Sequence, residues 1–233
     1  MRLVASLLGV TAGLLVLALA AGCPCGPSDG IATWARTFGT AAPESCTEVL
    51  QTADGGFMLA GITGSEGAED IYLVKTDADG NEEWSNTLGG PDSEICLAAQ
   101  QTADGGYILA GSTDASGSED MYLIKTDASG TGRWAATFGD ADPDRCYSVQ
   151  QTADGGCILA GSTGPVDSED AYPVKTDADG HEEWTAPFNS GDRDHCVAMA
   201  RTADGGYVLA GETGPSDSED MYLIKTDAHG DRE

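Results

Sequence analysis

The sequence predicts an all-β protein of antiparallel four-stranded units. One 50-residue unit recurs four times, each copy reads as four short strands between turn residues, and no window carries an amphipathic helical period over three turns. Trp34, Trp84, Trp134 and Trp184 share one repeat position, and Cys46, Cys96, Cys146 and Cys196 share another. The string Thr-Ala-Asp-Gly-Gly starts at Thr52, Thr102, Thr152 and Thr202. The chain's four lysines, Lys75, Lys125, Lys175 and Lys225, also fall at a single position.

The second unit justifies each element in order. Cys96–Thr102 is the first strand, and Ala103-Asp104-Gly105-Gly106 is the turn, where Asp-Gly tolerates the positive φ of a tight hairpin. Tyr107–Thr113 is the second strand, kept slim by Ala110-Gly111. After a small, polar loop at 114–119, Asp120–Thr126 is the third strand, rich in β formers. Asp127-Ala128-Ser129-Gly130 turns the chain into the fourth, Arg133–Phe138. In the third unit Pro173, Cys157 and Pro187 replace a strand leucine, an aromatic residue and a threonine; each proline removes a ladder donor.

A four-stranded unit of this length in tandem specifies a propeller blade. Blades are expected at about 46–88, 96–138, 146–188 and 196–228 of a domain spanning 31–233. Residues 31–38 read as a fourth strand without a blade, while the last unit lacks its fourth strand. Pairing that opening strand with Asp220–Thr226 would close a four-bladed β-propeller and remove two sheet edges. The alternative is half of a larger propeller, completed when two chains pair, so a monomer and an edge-paired dimer are the two expected states.

Charge narrows the partners. The formal net charge is −28, from 39 acidic against 11 basic residues spread through the repeats, which describes a solvated folded surface. Nucleic acid is excluded as a partner, because nothing basic is clustered to neutralise phosphates. The excess suits either a high-salt medium, where self-repulsion is screened, or an ordinary acidic secreted protein. Residues 1–22 have a basic start, an apolar middle and small residues before Cys23, the pattern of a signal peptide. Residues 23–30 read as a short tether. Leu19-Ala20-Ala21-Gly22-Cys23 resembles the lipobox of prokaryotic lipoproteins, with Ala20 where Leu is usual. That resemblance implies lipidation at Cys23, export, and anchoring to the cell membrane facing outside the cytoplasm.

The repeats, with Gln-Thr-Ala-Asp-Gly-Gly, Tyr-Leu-Ile-Lys-Thr-Asp and a Trp-x-x-Thr-Phe-Gly strand, resemble the propeller repeats of bacterial and archaeal surface lipoproteins. The segment 127–134 is also similar to the tryptophan-docking motif of quinoprotein-like propellers, with one residue fewer between Asp and Gly. This resemblance implies that the tryptophan packs between neighbouring blades. No quinone ligand set is recognisable, so it bears on fold and not on cofactor.

Candidate sites follow from the repeat. Cys46, Cys96, Cys146 and Cys196 start the innermost strands and would ring one mouth of the channel; small buried thiols, a disulfide ring and a four-thiolate metal ring are the three readings. Asp77 with Asp79, and Asp177 with Asp179, make Asp-x-Asp-Gly turns that invite calcium, although turn chemistry explains them and no cofactor is predicted. Each repeated lysine is expected to pair with a turn aspartate such as Asp54 or Asp77. His181, His195 and His229 occupy three different repeat positions, which gives nucleophilic catalysis little support.

The favoured function is a binding or scaffold module for protein or glycan. It would act through the loops bearing Glu69-Asp70, Glu119-Asp120, Glu169-Asp170 and Glu219-Asp220. The alternative is an extracytoplasmic enzyme, a hydrolase or a quinoprotein-like protein, on the same propeller.

Overall fold

A computed structural model describes residues 34–115, 117–215 and 217–232. The expected signal peptide, the expected tether with Cys23, and residues 31–33 of the expected closing strand lie outside the described residues. Among the described residues there is no helix, and so none long and apolar enough to cross a membrane.

The first sheet holds β1 (Glu44–Gln51), β2 (Phe57–Ser65), β3 (Ala68–Thr76) and β4 (Glu82–Leu88), each antiparallel to the next. The second holds β5 (Glu94–Gln101), β6 (Tyr107–Thr113), β7 (Asp120–Thr126) and β8 (Gly132–Phe138). The third holds β9 (Asp144–Gln151), β10 (Cys157–Thr163), β11 (Asp170–Thr176) and β12 (Glu182–Thr185). The fourth has three strands, β13 (Asp194–Arg201), β14 (Tyr207–Thr213) and β15 (Asp220–Thr226).

The first strand of each blade begins two residues before its cysteine, because a β-bulge carries the pairing past it. Cys96 pairs with Gly111 and Ala98 with Ala110, so Leu97 is the extra residue. The bulge brings the inner strand onto its neighbour's backbone: a Cβ on Gly111 would lie 1.8 Å from the Ile95 carbonyl oxygen. The same holds at Gly61, Gly161 and Gly211, with gaps of 1.9, 1.7 and 1.9 Å. The Ala-Gly pair of every repeat is therefore a steric condition of the bulge.

The prolines of the third blade shorten its last strand. The Pro173 carbonyl accepts from the Ala186 N–H (3.4 Å) and the Thr185 hydroxyl (3.1 Å). A strand residue points its N–H and C=O to the same side, so the donor that Pro173 lacks is the one β12 needs. The strand stops at Thr185, and contact resumes only at the Ala171–Phe188 bridge.

Blades pack face to face through alternating side chains. Met58, Ala60, Ile71 and Leu73 of blade one meet Cys96, Tyr107, Leu109 and Ile124 of blade two. Ile108, Ala110, Met121 and Leu123 then meet Cys146, Val149, Leu159 and Val174 of blade three. Ile158, Ala160 and Ala171 meet Cys196, Met199, Leu209 and Ile224 of blade four. Period-two alternation gives each blade one face for the blade before and one for the blade after.

The ring is not closed. Residues 34–38 form no strand, and among the described residues β15 has β14 on one side and a Thr226–Arg232 bridge on the other. The described part of the expected closing strand, residues 34–38, does not join blade four. Arg36 and Phe38 instead line a cavity of about 230 Å³ with Cys46, Leu59, Tyr72 and Val74 of blade one. The link to β1 is short, and it holds the segment beside the blade that follows it. The consequence is an open row of blades with two uncovered faces: Val49 is 59% exposed on the first blade, and Met221 and Leu223 are 93% and 71% exposed on the last.

Candidate binding cleft and blade-end sites

One end of the blades carries the Thr-Ala-Asp-Gly-Gly hairpins. In blade one the turn closes with Gly55 N–H to the Thr52 carbonyl (2.9 Å), and the positive φ falls on Gly55. Asp54 Oδ1 accepts from the Thr52 hydroxyl (2.5 Å) and the Gly56 N–H (3.0 Å), which leaves Oδ2 for Lys75 Nζ at 2.9 Å. Lys125, Lys175 and Lys225 pair in the same way with Asp104, Asp154 and Asp204. The lysine partner is thus the hairpin aspartate. Asp77 is spent within its own turn, accepting from the Asp79 and Asn81 N–H groups at 2.9 Å each. Asp177 does the same with Asp179 and His181, and the carboxylates of Asp177 and Asp179 come together with the His181 ring as the one such cluster among the described residues.

At this end the blades are joined by a repeated bond. Gln101 Oε1 of blade two accepts the Ala53 N–H of blade one (2.9 Å), and Gln151 Oε1 of blade three accepts the Ala103 N–H of blade two (3.0 Å). At the third junction the same position is Arg201, whose guanidinium has donors and no acceptor, so Ala153 N–H cannot be met in this way. A cleft of about 520 Å³ opens there, lined by Ala153, Asp154, Glu183, Trp184, Arg201 and Tyr207, with His229 at its rim. Trp184 and Tyr207 lie with ring centroids 6.0 Å apart. The Thr152 hydroxyl, and then Lys175, hold the Asp154 carboxyl down at about 2. Arg201 is exposed, and among the described residues no ion pair to it is seen.

The opposite end holds the four Glu-Asp pairs, and there the structure changes the picture. Arg145 Nε donates to Glu119 at 2.7 Å across the second junction, and Arg193 Nε donates to Glu169 at 2.8 Å across the third. Arg145 also lies 3.8 Å from Glu169, and Arg193 donates to Glu219 at 2.5 Å. Glu119, Arg145, Glu169, Arg193 and Glu219 form one ladder of alternating charge, with the Glu169 side chain 4% exposed. At the first junction Glu69 accepts from the Ser93 hydroxyl of the next blade (2.7 Å) and from the Gly67 N–H of its own loop (2.8 Å). Asp70, Asp120, Asp170 and Asp220 are strand residues, paired with Thr63, Thr113, Thr163 and Thr213. The four glutamates thus bond across blade junctions or to their neighbours' arginines, while the four aspartates pair within their own blades. Repeat spacing carried no sign of this, because Arg145 and Arg193 occupy different repeat positions.

Cys46, Cys96, Cys146 and Cys196 are free thiols, as is Cys157. The first four sit at the bulges, and each donates to a carbonyl two residues on, at 3.3–3.7 Å. Burial pushes Cys96 and Cys146 up to about 12 and Cys196 to about 11, so the thiolate that metal binding and oxidation require is disfavoured. Cys96, Cys146 and Cys196 are small buried thiols here, whereas Cys46 is exposed.

The architecture has parallels. No protein-family model matches the sequence, and no curated protein matches it. Among solved structures, the chain is similar to a mutant puromycin hydrolase complexed with PGG, a β-propeller, at 14% identity and a TM-score of 0.50. The likeness covers 81% of this chain and 28% of that one, so the chain spans little more than a quarter of that protein's length. At this identity the likeness is one of fold. Repeated four-stranded antiparallel sheets packed face to face fit a β-propeller.

Proposed function

We propose that the chain is a binding module that takes a glycan in the cleft between its third and fourth blades. The observation that carries this reading is Arg201 at the position where glutamine seals the two equivalent junctions. The chemistry suits a sugar. The half-buried Trp184 offers apolar surface to the C–H face of a pyranose ring, and Arg201, Asp154 and Glu183 offer charged donors and acceptors to its hydroxyls. A volume of about 520 Å³ lies in the range of small-ligand sites.

Calorimetric titration with neutral and uronate-bearing oligosaccharides tests the proposal. Saturable binding is expected, and Arg201→Gln, which restores the acceptor for Ala153 N–H, should weaken it at least tenfold while leaving the thermal midpoint unchanged or higher. Absence of binding by the wild-type chain to either class, or undiminished binding by Arg201→Gln, would sink it.

The same proposal places the module outside the cytoplasm, tethered through Cys23. The lipobox-like run ending at Cys23 supports this placement. Cys23→Ser should move the protein from the membrane fraction to the soluble one.

A further inference from the structure

We infer that the two uncovered blade faces bind each other between two copies of this chain, head to tail. The face of blade four that bears Met221 and Leu223 would pack on the face of blade one that bears Cys46 and Val49.

The molecule already contains this interface three times. Met121 and Leu123, at the repeat positions of Met221 and Leu223, are fully buried against blade three, and Ile71 and Leu73 are fully buried against blade two. On the receiving side, Cys96, Cys146 and Cys196 are fully buried, whereas Cys46 is exposed. Met121 shows how close the fit is: its Cε would lie 2.8 Å from a Cβ placed on Gly161, and Gly61 offers the same bare backbone on blade one. Exposed apolar side chains on both ends, each carrying the pattern that its own repeats bury, are the signature of an unfilled heterologous interface.

The opening segment identifies the occupant more closely. Phe38 lies beside Tyr72 of blade one. Leu88 likewise lines a recess with Tyr122, and Phe188 stacks on Tyr222 at 6.4 Å. Leu88 ends the last strand of the preceding blade and Phe188 holds the bridge just beyond the last strand of its own, so residues 35–38 sit where the fourth strand of a preceding blade would stand. Among the described residues blade four has three strands. A second copy docked on blade one would therefore bring β15 alongside those residues. The added blade would be completed by the strand it lacks, and a bare sheet edge would be paired. Two such contacts related by a two-fold axis give a closed ring of eight blades.

The net charge of −28 on each copy opposes the encounter, and salt screens that repulsion. The test is light scattering of the full chain across a concentration series at about 0.1 M and 2 M salt, repeated with Met221→Asp and with Leu223→Asp. Both residues are exposed in the single chain, so circular dichroism should show an unchanged fold. Twice the chain mass is expected, more fully populated at high salt, and each aspartate variant should weaken association at least tenfold. Met221→Cys should form a disulfide with Cys46 of the second copy on mild oxidation, giving a dimer on non-reducing gels that Cys46→Ser abolishes. A monomer at both salt concentrations would overturn the inference. So would association that the aspartate variants leave intact, or a Met221→Cys thiol that bonds Cys46 within its own chain.

Discussion

Trp134 of the second blade lies directly under Gly180 of the third: a Cβ on Gly180 would come within 2.7 Å of indole Cζ3. Trp84 meets Gly130 and Trp184 meets Gly230 in the same way, at 2.5 and 2.7 Å. The glycine is needed twice over, because its φ is +83° and the next blade's approach leaves no room for a side chain. Gly180→Ala should therefore cost about 2–3 kcal/mol, combining backbone strain with displacement of the indole. Gly55 has a similar φ of +88° and nothing within 4 Å, so Gly55→Ala should cost only about 1 kcal/mol. Urea midpoints of the two variants separate the contact from the strain. Equal losses would show that the tryptophan contributes nothing.

The charge ladder predicts an asymmetric response to truncation. Arg193 is the closest cation to Glu169, whose side chain is 4% exposed. Arg193→Ala leaves that carboxylate buried with only Arg145 at 3.8 Å, and should destabilise by about 3 kcal/mol. Removing both charges, as in Arg193→Met with Glu169→Gln, should recover much of the loss. A loss below about 0.5 kcal/mol for Arg193→Ala would place the pair among exposed ion pairs instead.

Acid stability should show two opposed limbs. Hydrogen bonds from Thr102 and Thr152, followed by Lys125 and Lys175, hold the Asp104 and Asp154 carboxyls at about 2, below the usual value of about 4. A depressed folded pKa stabilises above the unfolded value, and that contribution disappears as pH falls from about 4 through about 2. Burial acts the other way on Glu94 and Asp144, raising them, so the fold gains from their protonation as pH falls toward the usual carboxylate range. Urea midpoints between pH 7 and 2 should stay level or rise first, then drop below about pH 4. Lys175→Met, which removes part of the depression at Asp154, should make that drop smaller and end it at higher pH, and a drop that begins above pH 5 would contradict the assignment.

Thiol reactivity distinguishes blade faces. Alkylation of the native protein followed by peptide mapping should label Cys46, which is exposed, well ahead of Cys96, Cys146 and Cys196. Those three should react fully only in denaturant. Disulfide-linked peptides joining Cys46, Cys96, Cys146 or Cys196 in protein kept free of reductant would restore the ring of disulfides. Assembly through blade one would also slow labelling of Cys46, and dilution should reverse that protection.

Much of the blade was legible in the sequence because its determinants are local. Thr102, Asp104 and Gly105 make a hairpin from contacts within five residues, and Tyr107–Thr113 and Asp120–Thr126 appear in the structure with the boundaries that alternation and turn residues imply. Pro173 announced a weakened blade for a reason contained in one residue, its missing N–H. The cleft was legible only in part: Arg201 is visible as a departure from Gln101 and Gln151, but its meaning depends on Ala53 and Ala103, which donate to those glutamines from 48 residues away. The tertiary structure alone decided the rest. It assigned Glu119, Glu169 and Glu219 to a ladder through Arg145 and Arg193, and left β15 without the opening strand. Each of these depends on how one blade is set against the next. Pairing within a blade is fixed by neighbours in the chain, whereas closure depends on a small rotation summed over every interface, and no single repeat carries that sum.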